Sequence, residues 1–192
     1  WERIKDNNLD YAEENLGAFQ EPMSVIEQEE ALKLYDAGAD IYLITNFSSP
    51  MYVTERMEIE RGPEHYQMSM TELERFRKLE WEMQKYPQIQ SLKEANLLLG
   101  TRRVFGIYQI RDDSPGENYA FMNMSFIESH GMQIKKEDYK LVYVGELSGN
   151  MSLDDIFERF NIDRPEDFRG HSLSVSDIIV LNDGKKVTAH FV

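Results

Sequence analysis

The run Ile156-Phe-Glu-Arg-Phe-Asn-Ile-Asp-Arg-Pro-Glu-Asp-Phe-Arg-Gly-His-Ser-Leu-Ser-Val-Ser-Asp-Ile-Ile-Val-Leu181 constrains the fold more than any other part of the chain. It compresses a helix, a cap, a corner and a strand into one short span. An amphipathic helix is expected to end near Asn161. Asp163-Arg-Pro-Glu-Asp167 then reads as a capped turn or a new helix start. Asp163 can accept backbone N–H bonds, and Pro165 fits only a first helical turn or a non-helical segment. Arg169-Gly170-His171 follows as a tight polar corner. Leu173, Val175 and Ile178 to Leu181 carry a strand signal, with Ser172, Ser174 and Ser176 alternating along a polar face.

The rest of the second half fits around this stretch. Val104 to Ile110 is an expected strand, Asp112-Asp-Ser-Pro-Gly116 a turn, and Tyr119 to Met122 a second strand. Ser125-Phe-Ile-Glu128 has capping-box spacing for a short helix that His130-Gly131 ends. Tyr139 to Leu147 alternates apolar residues as a strand buried on both faces would. Ser148-Gly-Asn150 turns the chain, Ser152 caps a helix from Leu153 to Phe160, and Asn182-Asp-Gly184 is a hairpin signal between Asp177–Leu181 and Lys186–Val192. The order ββαβα followed by a hairpin predicts an α+β unit with a mixed or mainly antiparallel sheet and short helices.

The first half reads as a separate, acidic α+β unit over residues about 23–100, a helix, a hairpin and further helices, preceded by a polar arm at 1–22 in which Tyr11 to Leu16 could form a helical turn or two. Ser24-Val-Ile-Glu27 has capping-box spacing, with Ile26, Ala31, Leu34 and Tyr35 as the helix stripe and Gly38 as its stop. Ile41 to Ile44 and Met51 to Thr54 form a hairpin about Asn46-Phe-Ser-Ser-Pro50. Gly62-Pro63 breaks the chain, and His65 to Met68 is a short extended segment. Thr71 caps the clearest helix, striped by Leu73, Phe76, Leu79, Met83 and Tyr86 and ended by Pro87. Leu92 to Leu99 is a second helix that could fold back on the first as a helical hairpin, closed by Gly100. A boundary is expected near Gly100-Thr-Arg-Arg103, where composition and charge shift.

The run from Asn161 to Leu181 resembles the signature of the YodL-like domain family, whose members occur mostly in Firmicutes, often in large proteins of conjugative and other mobile elements. The resemblance extends through Phe105-Gly-Ile-Tyr-Gln-Ile110, Tyr119-Ala-Phe-Met122, Tyr139-Lys-Leu-Val-Tyr-Val-Gly-Glu-Leu147 and Thr188-Ala-His-Phe-Val192, so it covers residues about 104–192. It implies a mobile-element context and allows a role in regulating the bacterial cell-shape cytoskeleton. It implies no particular reaction.

Composition narrows the function classes. The 192 residues suffice for one large domain or two small ones, and 41% apolar content suffices for a core. No run of 18 apolar residues exists, so no membrane partner is expected. The polar opening Trp1-Glu-Arg-Ile-Lys-Asp-Asn-Asn lacks a secretory pattern. The missing initiator Met and the close on Phe191-Val192 within a strand-like run read as an excerpt of something longer. The chain has no cysteine, which removes disulfides, thiolate metal sites and thiol nucleophiles and fits a cytoplasmic location. The net charge is −14, and residues 1–100 hold 20 acidic and 10 basic side chains. Such a surface repels phosphates, so direct duplex DNA binding is not expected, whereas the basic groove of a nucleic-acid-binding protein is a fitting partner.

Candidate site residues fall into three groups. His171 and His190, with Asp177 or Asp167, have the types for a two-His, one-carboxylate metal site. With Arg169 and Asp177 they have those for acid–base cleavage of RNA, Arg169 steadying the phosphate. The spacing is not that of a zincin helix, and neither a Gly-rich phosphate loop nor a Ser elbow is present, so no metal or other cofactor is expected. The competing reading has His171 tying the corner to the backbone and His190 on a strand face. Arg164, Glu166, Asp167 and Arg169 form either a docking epitope or an internal network of the corner. In the first half, Glu72, Glu74, Glu80 and Glu82 join the acidic clusters at Glu13-Glu14, Glu27 to Glu30 and Glu55 to Glu60 as solvated faces or as a phosphate-like array. Trp81, among glutamates, is a hot-spot candidate if exposed.

These observations lead to a non-enzymatic protein-interaction module of a mobile element. Its acidic surface would inhibit a host defence or nucleic-acid-handling protein, the anti-CRISPR or anti-restriction type being the sharpest version. An RNA-cleaving hydrolase and a regulator of the cell-shape cytoskeleton are the alternatives.

Overall fold

The computed structural model describes residues 22–44 and 51–192. The expected arm and the turn at Asn46–Pro50 lie outside them, apart from Pro22. The chain divides into two compact units between Glu82 and Met83, each with an antiparallel sheet of four strands and flanking helices. The class is α+β, as expected.

In the first unit β1 (Met23–Glu27), α1 (Gln28–Asp36), β2 (Tyr42–Leu43), β3 (Met51–Tyr52), α2 (Arg56–Glu60), β4 (His65–Ser69) and α3 (Met70–Met83) follow in order. The sheet runs β1-β4-β2-β3, and β2 and β3 form the expected hairpin. Ser24 does not cap a helix. The segment Met23–Glu27 is a strand paired with β4 from Met23↔Ser69 to Glu27↔His65. Val25 and Ile26 are β-branched and favour the pleated backbone, and the helical stripe of Ala31 and Leu34 begins only after Glu27. Gly38, at φ 87°, ends α1 as expected. Helix α3 follows β4 directly at Met70 and stops at Met83, so Thr71 is not its cap and Tyr86 lies beyond it. Leu73, Phe76 and Leu79 are its buried stripe.

The second unit contains α4 (Leu92–Leu99), β5 (Arg103–Ile110), α5 (Met124–Ser129), β6 (Tyr139–Glu146), α6 (Leu153–Ile162), β7 (Ile178–Asp183) and β8 (Val187–Phe191). The sheet order is β6-β5-β7-β8. Helix α4 packs onto this sheet, and the boundary expected near residue 100 falls inside the second unit. Leu97 is buried with Val104, Tyr108, Ile110 and Val180. A Cβ on Gly106 would lie 2.3 Å from Leu97 Cδ2, so a glycine on β5 permits the close approach. The Asn182 amide of the hairpin turn donates to Leu97 O at 2.9 Å and Gly100 O at 2.8 Å, satisfying carbonyls left over at the end of α4.

The other face of the sheet packs Phe105, Ile107, Tyr143 and Ile179 against Ile156 and Phe160 of α6. Ser152 caps α6 with Asp155 in a reciprocal capping box. The strand buried on both faces is the central β5, not the edge strand β6. The register slips between Ile107 and Tyr108, so Val142 and Tyr143 pack on the same cluster.

Two expected strands are absent. Tyr119 ends a 3-10 turn that starts at Pro115, capped by the Ser114 hydroxyl accepting from Gly116 N at 3.2 Å, and Phe121 has φ 62°. Pro115 and Gly116 favour this tight turn over extended backbone. Ser172 to Ser176 is likewise not a strand. Ser174 N donates to the Asp177 carboxylate at 2.8 Å, and Ser176, at φ 77°, leaves the extended region. Asn123, rather than Ser125, caps α5.

Candidate functional site

Gln109 organises the polar corner. Its neighbours on β5 alternate between the two apolar clusters, and its own side chain, 1% exposed, emerges near the end of the strand. The Gln109 amide nitrogen donates to His171 O at 2.9 Å and Asp177 Oδ2 at 3.1 Å and lies 3.1 Å from His171 Nδ1. Its carbonyl accepts from His171 N at 3.0 Å. One buried amide thus clamps the corner on both sides. A Cβ on Gly170 would sit 2.3 Å from Gln109 Oε1, so a side chain there would have to displace the clamp.

Asp177, 2% exposed, lies at the entry to β7. Its carboxylate accepts from Ser174 N and Gln109 and stands 3.7 Å from His171 Nε2. Burial is the largest influence on its acidity and pushes it up to about 6, against the opposing pull of Ser174 N–H, His171 and Gln109. The His171 side chain is 45% exposed, yet both its nitrogens face protein. Nδ1 lies 2.8 Å from Ser172 O and close to the Gln109 amide, while Nε2 faces Asp177.

Behind the corner, Tyr139 donates to Ser176 O at 2.9 Å and Tyr119 to Asp138 Oδ2 at 2.9 Å. Burial and then the Asp138 carboxylate push Tyr119 up to about 12, and burial also raises Tyr139. In front, Ser176 Oγ accepts from Phe121 N at 2.8 Å. Among the described residues, this bond joins the two non-glycine residues with positive φ. Phe121 is 62% exposed, tilts against the His171 ring at 5.6 Å, and has exposed Met122, Met124 and Val175 as sequence neighbours on the two joined segments. The corner therefore holds an aromatic side chain outward on a backbone locked from behind.

Of the four catalytic candidates, the structure brings His171 and Asp177 together. Arg169 donates to Glu166 O at 2.6 Å, within its own turn. His190 on β8 pairs its Nε2 with Thr188 Oγ1 at 2.9 Å. Among the described residues, no three His, Asp or Glu side chains converge to hold a metal ion. Arg164 and Asp167 are exposed, and after burial the Asp167 carboxylate helps raise Tyr143. In the first unit Trp81 is 59% exposed. Glu80 is paired with Lys33, and Glu72 is buried and accepts from Arg75 at 3.1 Å.

Sequence reasoning missed a second polar cluster. Glu94, buried on α4, accepts from Tyr108 Oη at 2.8 Å, Lys136 Nζ at 2.7 Å and Gln90 N at 2.9 Å. Burial would raise this carboxyl, but Lys136, Gln90 and Tyr108 together hold it below the usual carboxylate range. Burial and then Glu94 raise Tyr108. Glu94 lies three residues after its N-cap Ser91, the one local signal that it turns inward.

Residues 104–192 match the model of the YodL-like domain family, the family that this half resembles. No curated protein and no solved structure matches the chain. No helix among the described residues is long and apolar enough to cross a membrane.

Proposed function

We propose that this chain is a protein-interaction module that occupies a basic, nucleic-acid-handling partner, an inhibitor of anti-CRISPR or anti-restriction type carried by a mobile element. The observation that carries the reading is the state of the charges in the first unit. Lys33 pairs with Glu80, Arg56 with Asp36 and Glu60, Arg75 with Glu72, and Arg77 with Glu30. Much of the cationic charge is thereby turned onto neighbouring carboxylates, while Glu29, Glu64 and Glu74 remain exposed. A surface with an excess of carboxylates attracts a groove built for phosphates. In the second unit the outward Phe121 supplies an apolar anchor of the kind that concentrates binding energy.

The test is affinity capture from a nuclease-treated bacterial lysate, washed at low and then high salt. A stoichiometric nucleic-acid-handling protein released by salt is the expected result. Recovery of no specific partner, or only of partners indifferent to salt, overturns the reading.

The approach of His171 to Asp177 favours a second reading, an RNA-cleaving hydrolase. It requires the imidazole to turn a nitrogen outward, away from Ser172 O or Asp177, to reach a substrate proton. RNA cleavage by the purified chain that is lost in His171→Ala would support it, and cleavage unchanged by that substitution would remove it.

A further inference from the structure

We infer that the outer edge of β8 is a self-association surface, on which a second copy of this chain adds its own β8 in antiparallel register about Ala189. This goes beyond the reading above and concerns a different part of the molecule.

Strand β8 closes the sheet order β6-β5-β7-β8, and among the described residues it is paired with β7 alone. Val192 N donates to Asp177 O at 2.9 Å, and Lys186 O accepts from Asp183 N at 3.2 Å. These are the hydrogen-bonded positions facing β7. By alternation Thr188 and His190 face the same way, so Val187, Ala189 and Phe191 turn their N–H and C=O groups to the side away from β7. Such a row is a template for another strand unless the chain obstructs it.

The residues of β8 themselves do not obstruct such pairing. The other edge, β6, carries Lys140, Glu146 and the register slip at Val142. Strand β8 reads Val-Thr-Ala-His-Phe, with no lysine, carboxylate or proline, in a chain of net charge −14. An acidic protein that leaves one straight edge free of carboxylates has removed the repulsion that would keep two copies apart there.

The strand is also self-complementary. A two-fold axis at Ala189 sets Ala189 against its counterpart and Val187 against Phe191 of the other copy, as pairs that exchange both backbone bonds. The small side chain falls on the axis, where two large ones would collide. The flanking pairs join a β-branched residue to an aromatic one, a favoured cross-strand combination. Phe191 already packs at the border of the cluster formed by Val180, Ile178 and Leu97, so Val187 of the second copy would extend that cluster. On the opposite face Thr188 meets His190. Lys186 falls opposite Val192, so no like charges are opposed.

Sedimentation of the 192-residue chain over a concentration series tests this without any partner. The wild-type 22.6 kDa chain is expected to approach twice its mass as concentration rises. Ala189→Asp and Ala189→Lys each put like charges on the axis and are expected to stay monomeric. Mixing the two is expected to restore the dimer. The Ala189 side chain is exposed, and circular dichroism checks that each variant is folded. Should either variant fail to fold, Ala189→Cys replaces it. The chain has no other cysteine, so mild oxidation is expected to give a disulfide-linked dimer in proportion to the associated fraction. A wild-type chain that remains monomeric, variants that associate as it does, or an Ala189→Cys chain that does not cross-link overturns the inference. Captured partners are read in a different experiment, so failure here leaves the interaction reading standing.

Discussion

Asp177 is a buried carboxylate held by donors on both sides, and its acidity makes the corner pH-dependent. Burial lifts it from 3.8 to about 6, so the fold prefers the protonated form. The stabilising contribution is complete below the ordinary value and is lost as pH rises through the folded one, up to about 3 kcal/mol. Asp177→Asn keeps an oxygen for Ser174 and Gln109 but does not ionise. Urea unfolding should therefore show the variant gaining on wild type by up to about 3 kcal/mol between about pH 4 and about pH 7. A gap that stays constant over that range would contradict the assignment. Gly170→Ala tests the clamp from its other side. With Gln109 Oε1 at 2.3 Å and Phe168 Cζ at 2.7 Å from the new carbon, a loss of about 1–3 kcal/mol is expected in thermal or urea unfolding. A neutral result would mean that the corner does not rest on Gln109. The sequence marked Arg169-Gly170-His171 as a corner, but nothing local marked Gln109, which lies 62 positions from His171. A buried amide joining distant segments has no periodicity of its own.

Elements were legible where the signal was local and unopposed. Helix α4, the Ser152 cap of α6 and the β7–β8 hairpin all follow from residues within a few positions of one another. Ser152→Ala should cost about 1 kcal/mol in urea unfolding, the usual worth of such a cap, and no loss would show that Asp155 holds the turn without it. Elements failed to read where a longer-range contact outweighed the local pattern. Ser24 to Glu27 has a capping-box spacing, but pairing with β4 draws it into the sheet. Tyr119 to Met122 alternates like a strand, yet Tyr119 is drawn to Asp138 and Phe121 to Ser176. Ser176→Ala removes the acceptor for Phe121 N and should raise hydrogen exchange at that amide while the β5 amides stay protected. Unchanged protection at Phe121 would mean that the positive φ is held by something other than Ser176.

At the scale of the molecule, composition showed the acid excess and its concentration in the first half. It could not show which carboxylates are neutralised. Glu72, Glu80 and Glu30 all carry cation partners, while Glu29, Glu64 and Glu74 stay exposed, and that sorting depends on helices and strands brought together by folding. The same holds for the boundary. Charge and composition shift near residue 100, but Leu97 is buried with the second sheet, so the chain divides earlier than its composition does. The YodL-like match at 104–192 lies within the second unit, whereas the interaction reading rests first on the acidic one. The most direct test is the yield of captured partner from a chain carrying Glu29→Gln, Glu64→Gln and Glu74→Gln together, compared at low salt with wild type. The account predicts a severalfold loss of partner with the fold intact. Full recovery from the triple variant would contradict it.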